Sequence, residues 1–277
     1  MTPALLAAAG SVLALLAVWG AAFDSATARW LDTAGLRGFV GLARPAVEPI
    51  AGRVAHLADP LELALIGGAL VLVALARGRP RVALAVPAVL VSANATTQIL
   101  KPLLADPRVC ACIEHTHVAA ASWPSGHATA AMSLALCAVL VAPARLRPTA
   151  AVAGAAFAIG VSFGLLILGW HFPSDVLAGY LVAALFTLLA VAALRGAAAR
   201  WPERTGREAA ARWGALAGPT VAATVLAAIP AAAVVLARPH DVAGYAAGHT
   251  AFVFVAGALA VTAVAVAGAF AASLTRR

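Results

Sequence analysis

Residues 174–194 read SDVLAGYLVAALFTLLAVAAL, a run whose only charged residue is Asp175. Held as a helix with a rise of about 1.5 Å per residue, it reaches about 30 Å, the thickness of a bilayer's hydrocarbon core. A helix that is apolar on every side belongs either in a deep core or in lipid. The rest of the chain decides between these, because comparable runs cover residues 4–23, 61–76, 82–100, 125–141, 149–170, 214–237 and 248–274. Of the 277 residues, 63% are hydrophobic and 11% charged, against roughly a quarter charged in soluble domains. The expected fold is an all-α polytopic membrane bundle of about eight transmembrane helices, a six-helix core plus a C-terminal pair.

The formal net charge of +8 does not indicate a nucleic-acid partner, because the charges form no single patch. They lie in turns between apolar runs: Arg77, Arg79 and Arg81; Arg145 and Arg147; Arg195, Arg200, Arg204, Arg207 and Arg212; and the terminal Arg276 and Arg277. In an eight-helix alternation all four segments fall on one side, which the positive-inside rule makes cytoplasmic. The Arg-rich stretch 195–213 is also the one boundary, separating the core from the last two helices. Residues 1–23 have the length of a signal peptide but no basic residue before the apolar run, and are expected to remain as the first helix.

The segment 24–60 is too polar to span. Leu36, Phe39, Val40 and Ala43 share one helical face, and Val47, Ile50, Val54 and Leu57 another, so two short helices are expected on the outer side. They fit the headgroup region or a cap packed on the bundle equally well. Cys110 and Cys112 are too close in sequence for an easy bridge and Cys137 lies in an apolar run, so no disulfide framework follows. Cys110, Cys112, Glu114, His115 and His117 match no zinc spacing and read as a polar outer loop. Asn94, Thr96, Thr97 and Gln98 read as helix ties or as the floor of a site, and Glu62 as interfacial.

Three polar groups fall at helix ends on the opposite, outer side: Lys101 with Arg108; Pro124-Ser125-Gly126-His127; and His171 with Asp175. Each suits a phosphate. Lys101 and Arg108, the first the only lysine in the chain, supply fixed positive charge. Ser125 and Gly126 open a helix whose unpaired N–H groups and positive dipole end attract anions. His127 follows, placed to protonate a leaving oxygen. Asp175, four residues after His171, can fix the tautomer of that imidazole and leave its other nitrogen to attack phosphorus. A lone histidine at a helix end is usually no more than a polar side chain at the headgroup level. Five such groups in order at one face are harder to explain that way.

With these residues the chain resembles the type 2 phosphatidic acid phosphatases (PAP2), the lipid phosphate phosphatases. Their pattern is Lys, six residues and Arg-Pro; then Pro-Ser-Gly-His; then Ser-Arg, five residues, His, three residues and Asp. Lys101 to Arg108, Pro124 to His127, and His171 with Asp175 match, the last within LGWHFPSDVLAG at 168–179. Val109 replaces the Pro, and Gly164 and Leu165 replace the Ser-Arg pair, so one expected cation is absent; His115, His117 and Arg238 are outer-side candidates to replace it.

The resemblance covers about residues 55–195. Residues 1–54 form an N-terminal helix and outer segment, and 196–277 an Arg-rich loop and helix pair. It implies His171 as the nucleophile forming a phosphohistidine and His127 as the general acid. Asp175 would orient His171, and Lys101, Arg108, Ser125 and Gly126 would hold phosphate oxygens. No metal and no cofactor is implied. The implied substrate is a lipid-linked phosphate or diphosphate, met at the extracytoplasmic face of a multi-pass cell-membrane protein. A lipid phosphotransferase, or a weakened lipid-phosphate binding or transport protein, are the rival readings.

Overall fold

The computed structural model describes residues 2–105, 118–200 and 236–275. Every element among them is helical: α1 (Pro3–Asp24), α2 (Ala26–Val40), α3 (Glu48–His56), α4 (Pro60–Ala76), α5 (Pro80–Leu103), α6 (Gly126–Val141), α7 (Arg147–Ile167), α8 (Pro173–Arg200), α9 (Pro239–Gly248) and α10 (Thr250–Thr275), with a short 3-10 turn at Ala144–Leu146. Five stretches are long and apolar enough to cross a bilayer alone: α1, α5, the turn with α7, α8 and α10. A sixth span arises if α3 and α4, bent by 52° at their junction, count as one.

The eight-span expectation is therefore met only in its coarser form: among the described residues the protein is all-helical, with five or six candidate spans. Two of the expected spans are short, α4 at 17 residues and α6 at 16, and residues 214–235 of the run at 214–237 lie outside the described residues.

The length of α6 has a physical reason. It is enclosed by α4, α5, α7, α8 and α10, and nearly all of its side chains are buried. Protein rather than lipid surrounds it, so it need not match the bilayer's thickness. It is the centre of the bundle, and its N-terminus marks the depth of the candidate site. The outer surface has the opposite character: Leu13, Leu16, Leu65, Leu72, Leu84 and Val261 are exposed, an apolar exterior suited to lipid.

The arginine-bearing turns gather at one end of the bundle. Arg79 donates to the carbonyl oxygens of Leu140 (3.1 Å) and Val141 (3.4 Å) at the end of α6. Arg147 donates to Leu274 O (3.0 Å) and Arg195 to Ser273 O (2.8 Å) at the end of α10. Guanidinium groups thus satisfy orphan carbonyls and face the negative dipole ends of two helices.

At the other end, α2 and α3 are the two short helices expected in 24–60. They lie on the bundle as a cap: Leu36 and Phe39 are fully buried, with Phe39 against Phe163 (5.1 Å between ring centroids) and Phe252 (4.8 Å). Helix α1 packs along α8, and α3 against α7.

Candidate active site

The site is assembled where α6 and α8 begin. Their closeness depends on Gly179, in the second turn of α8. A Cβ at that position would lie 2.8 Å from Ser125 O and 3.0 Å from Thr129 N, so only glycine permits this approach. Two hydrogen bonds join the helix starts, Ser125 N to Asp175 O at 3.0 Å and Thr129 Oγ1 to Gly179 O at 3.3 Å. His127 and His171, 44 positions apart in sequence, are thereby brought to one place.

Asp175 is fully buried, and its Oδ2 accepts from His171 Nδ1 (3.3 Å) and from the Phe172 N–H (3.0 Å). The second bond is a reach back to the N-cap residue of α8, which fixes the carboxylate while it holds the imidazole. With Nδ1–H donating to Asp175, Nε2 of His171 carries the free lone pair. Ser174 is held in turn by Asp32 of α2: its N–H donates to Oδ1 (2.9 Å) and its hydroxyl to Oδ2 (2.5 Å). The start of α8 is thus fastened from both sides.

Ser125 is the N-cap of α6, its hydroxyl accepting from Ala128 N at 3.3 Å. Its own N–H, expected to be open to an anion, instead donates to Asp175 O. The first-turn N–H groups of Gly126 and His127 have no intrahelical acceptor, as at any helix start. Lys101, near the end of α5, comes in beside them: a Cβ on Gly126 would lie 3.9 Å from Lys101 Nζ and 3.4 Å from Gln98 Nε2. Lys101 is close enough to Asp175 and to His127 for their charges to interact, and His127 to His171 likewise.

Six of the seven residues singled out in the sequence therefore come together: Lys101, Ser125, Gly126, His127, His171 and Asp175. Arg108 lies outside the described residues, as do His115 and His117. Arg238 is exposed at the start of α9.

Two residues at the site carried no signal in the motifs. His127 Nε2 is 2.9 Å from Asp59 Oδ1, and His56 Nδ1 is 2.9 Å from Asp59 Oδ2. Burial works against the Asp59 carboxylate, yet its hydrogen bonds with His56 and His127 prevail and hold its carboxyl below the ordinary range. The Trp170 ring lies beside both histidines, its centroid 5.6 Å from that of His56 and 6.2 Å from that of His127. In sequence Asp59 reads as a helix cap before Pro60, and its partner lies 68 residues on.

The substitutions Gly164 and Leu165 also acquire a cause. A Cβ at 164 would lie 2.7 Å from Ala51 O, so glycine is what lets α3 lie on α7, and Leu165 is fully buried in the core.

A cavity of about 720 Å³ opens from this site and runs between α4 and α5. Leu63, Gly67, Val71 and Leu90 line its apolar length, and Gln98, Lys101, Gly126 and His127 its polar end. Asn94 and Gln98 thus border the cavity, while Asn94 Nδ2 also donates to Leu90 O within its own helix.

Residues 82–199 match the model of the PAP2 superfamily. The match begins with α5, later than the residue-55 start expected from the sequence, and leaves α1–α4, α9 and α10 outside it. No curated protein and no solved structure gives a match to the chain.

Proposed function

From this PAP2 superfamily core we propose a metal-independent membrane phosphatase that hydrolyses a lipid-linked phosphate or diphosphate through a phosphohistidine on His171. The observation that carries the reading is the meeting of the His171–Asp175 pair with His127 and Lys101, the last two lining the polar end of an apolar cavity. A lipid phosphate has the matching shape, with a chain for the cavity and an anionic head for its end.

In the first step His171 Nε2 attacks phosphorus and the P–O bond to the lipid breaks, while His127 gives its proton to the departing oxygen. In the second, water attacks the phosphohistidine, its proton passes to His127, and the P–N bond breaks to release phosphate. Lys101, Arg108 and the N–H groups at the start of α6 stabilise the charge on the transferring group. Asp175 holds the tautomer of His171 throughout. The positive-inside rule, applied to the arginines at the far end, supports a cytoplasmic side there and an extracytoplasmic site.

The test is phosphate release by the purified protein, in detergent with a chelator present, from phosphatidic acid and from polyprenyl phosphates and diphosphates. His171→Ala, His127→Ala and Asp175→Asn should each lose at least ~10²-fold in turnover. Equal rates in all four proteins overturn the reading. Phosphate appearing on an added alcohol in place of water would make the protein a phosphotransferase.

A further inference from the structure

Asp59 is placed unlike an ordinary helix cap. It is the N-cap residue of α4, with extended backbone and Pro60 following, yet its side chain makes no capping hydrogen bond. An N-cap aspartate normally accepts from the second or third N–H of its own helix. Here both oxygens are turned away from α4: Oδ1 lies on His127 Nε2 and Oδ2 on His56 Nδ1, each at 2.9 Å. The 52° bend between α3 and α4 presents the carboxylate to the start of α6. Asp59 also stands before the segment that matches the family.

We propose that Asp59 is a positioning residue for His127, holding its ring by Nε2–H so that Nδ1 carries the proton given to the leaving oxygen. The site then contains two imidazole–carboxylate pairs of opposite sense. His171 is held through Nδ1 and uses Nε2; His127 is held through Nε2 and uses Nδ1. An ionised carboxylate only accepts hydrogen bonds, so it selects the tautomer of a neutral ring and stabilises the imidazolium that exists before the leaving oxygen is protonated and forms again when the attacking water gives up its proton. When the leaving oxygen takes the Nδ1 proton, His127 becomes neutral with Nε2–H still on Asp59, and the proton of the attacking water later returns to Nδ1. His56, more exposed than either partner, shares the carboxylate without reaching the reacting atoms.

What His127 does rests on the phosphatase reading; which nitrogen Asp59 holds does not, so the test has two arms. In the first, kcat/KM, which reports the steps through phosphoryl transfer to His171, is measured for a saturated alkyl phosphate and for p-nitrophenyl phosphate. An alkoxide needs a proton to leave and a nitrophenolate does not. Asp59→Asn, which keeps a good N-cap residue, should lower kcat/KM about 10- to 10²-fold for the alkyl ester, part of the full worth of a general acid, and leave the aryl ester near wild type. In the second arm, ¹⁵N NMR of histidine-labelled protein at about pH 9, where imidazole is neutral, should show the Nε2–H tautomer at His127. Asp59→Ala should abolish that preference, with His127→Gln supplying the assignment.

Equal losses on the two esters, unchanged or faster alkyl phosphate hydrolysis, or a tautomer indifferent to residue 59 would each overturn the proposal. If the wild type hydrolyses neither ester, the phosphatase reading fails, and the NMR arm decides whether Asp59 holds the ring.

Discussion

At the residue scale, the end of the bundle that holds the candidate site depends on three aspartates whose carboxylates fasten its parts together. Asp32 joins α2 to α8, Asp59 joins the α3–α4 turn to α6, and Asp175 joins the start of α8 to His171. Each accepts at least two hydrogen bonds, which offset the cost of withdrawing a carboxylate from water. Leu165 shows the converse. It occupies the position where the family pattern has arginine, but its side chain is fully enclosed in the core. Leu165→Arg would bury a cation with no partner, at a cost on the order of 3–5 kcal/mol. The expected outcome is a lower melting temperature and reduced yield of folded protein, with no gain in phosphate release; thermal denaturation in detergent and the phosphate assay measure both.

At the element scale, glycines govern how closely the site-bearing helices approach. Gly179→Ala would drive a methyl group to 2.8 Å from Ser125 O, forcing the starts of α6 and α8 apart. Overpacking of this kind costs about 1–3 kcal/mol, and a displacement of about 1 Å between reacting groups can cost about 10²-fold in rate. The variant should therefore remain folded by melting temperature while losing far more activity than stability.

This scale also explains what the sequence made legible. Apolar runs marked the helices because lipid and a lipid-like core both demand them, and the Lys101, Pro124–His127 and His171–Asp175 groups stood out because they fall in order at helix ends on one face of the expected topology. α6 looked like any other span, since nothing in its composition says that protein rather than lipid surrounds it. The fastening of Ser174 by Asp32, and of His127 by Asp59, could not be read because each joins residues far apart in the chain through a tertiary contact. Ser125 was legible as the helix start, but the diversion of its N–H to Asp175 O depends on the approach that Gly179 allows.

At the scale of the whole molecule, a lipid-facing exterior, a buried central helix and an apolar cavity all lead to one polar end. Gly68 lines the cavity, and a Cβ there meets no atom within 4 Å, so the position can take a larger side chain without disturbing the fold. Gly68→Phe should lower kcat/KM for long-chain polyprenyl phosphates roughly 10-fold or more, while a short-chain phosphate retains near wild-type turnover. Equal effects on both would mean that the chain lies elsewhere. The central claim is covalent chemistry at His171. It is read most directly from the stereochemistry of hydrolysis of a lipid thiophosphate made chiral at phosphorus with oxygen isotopes. Two successive in-line displacements, first by His171 and then by water, predict net retention of configuration; net inversion would show that water attacks the substrate directly and would contradict the account.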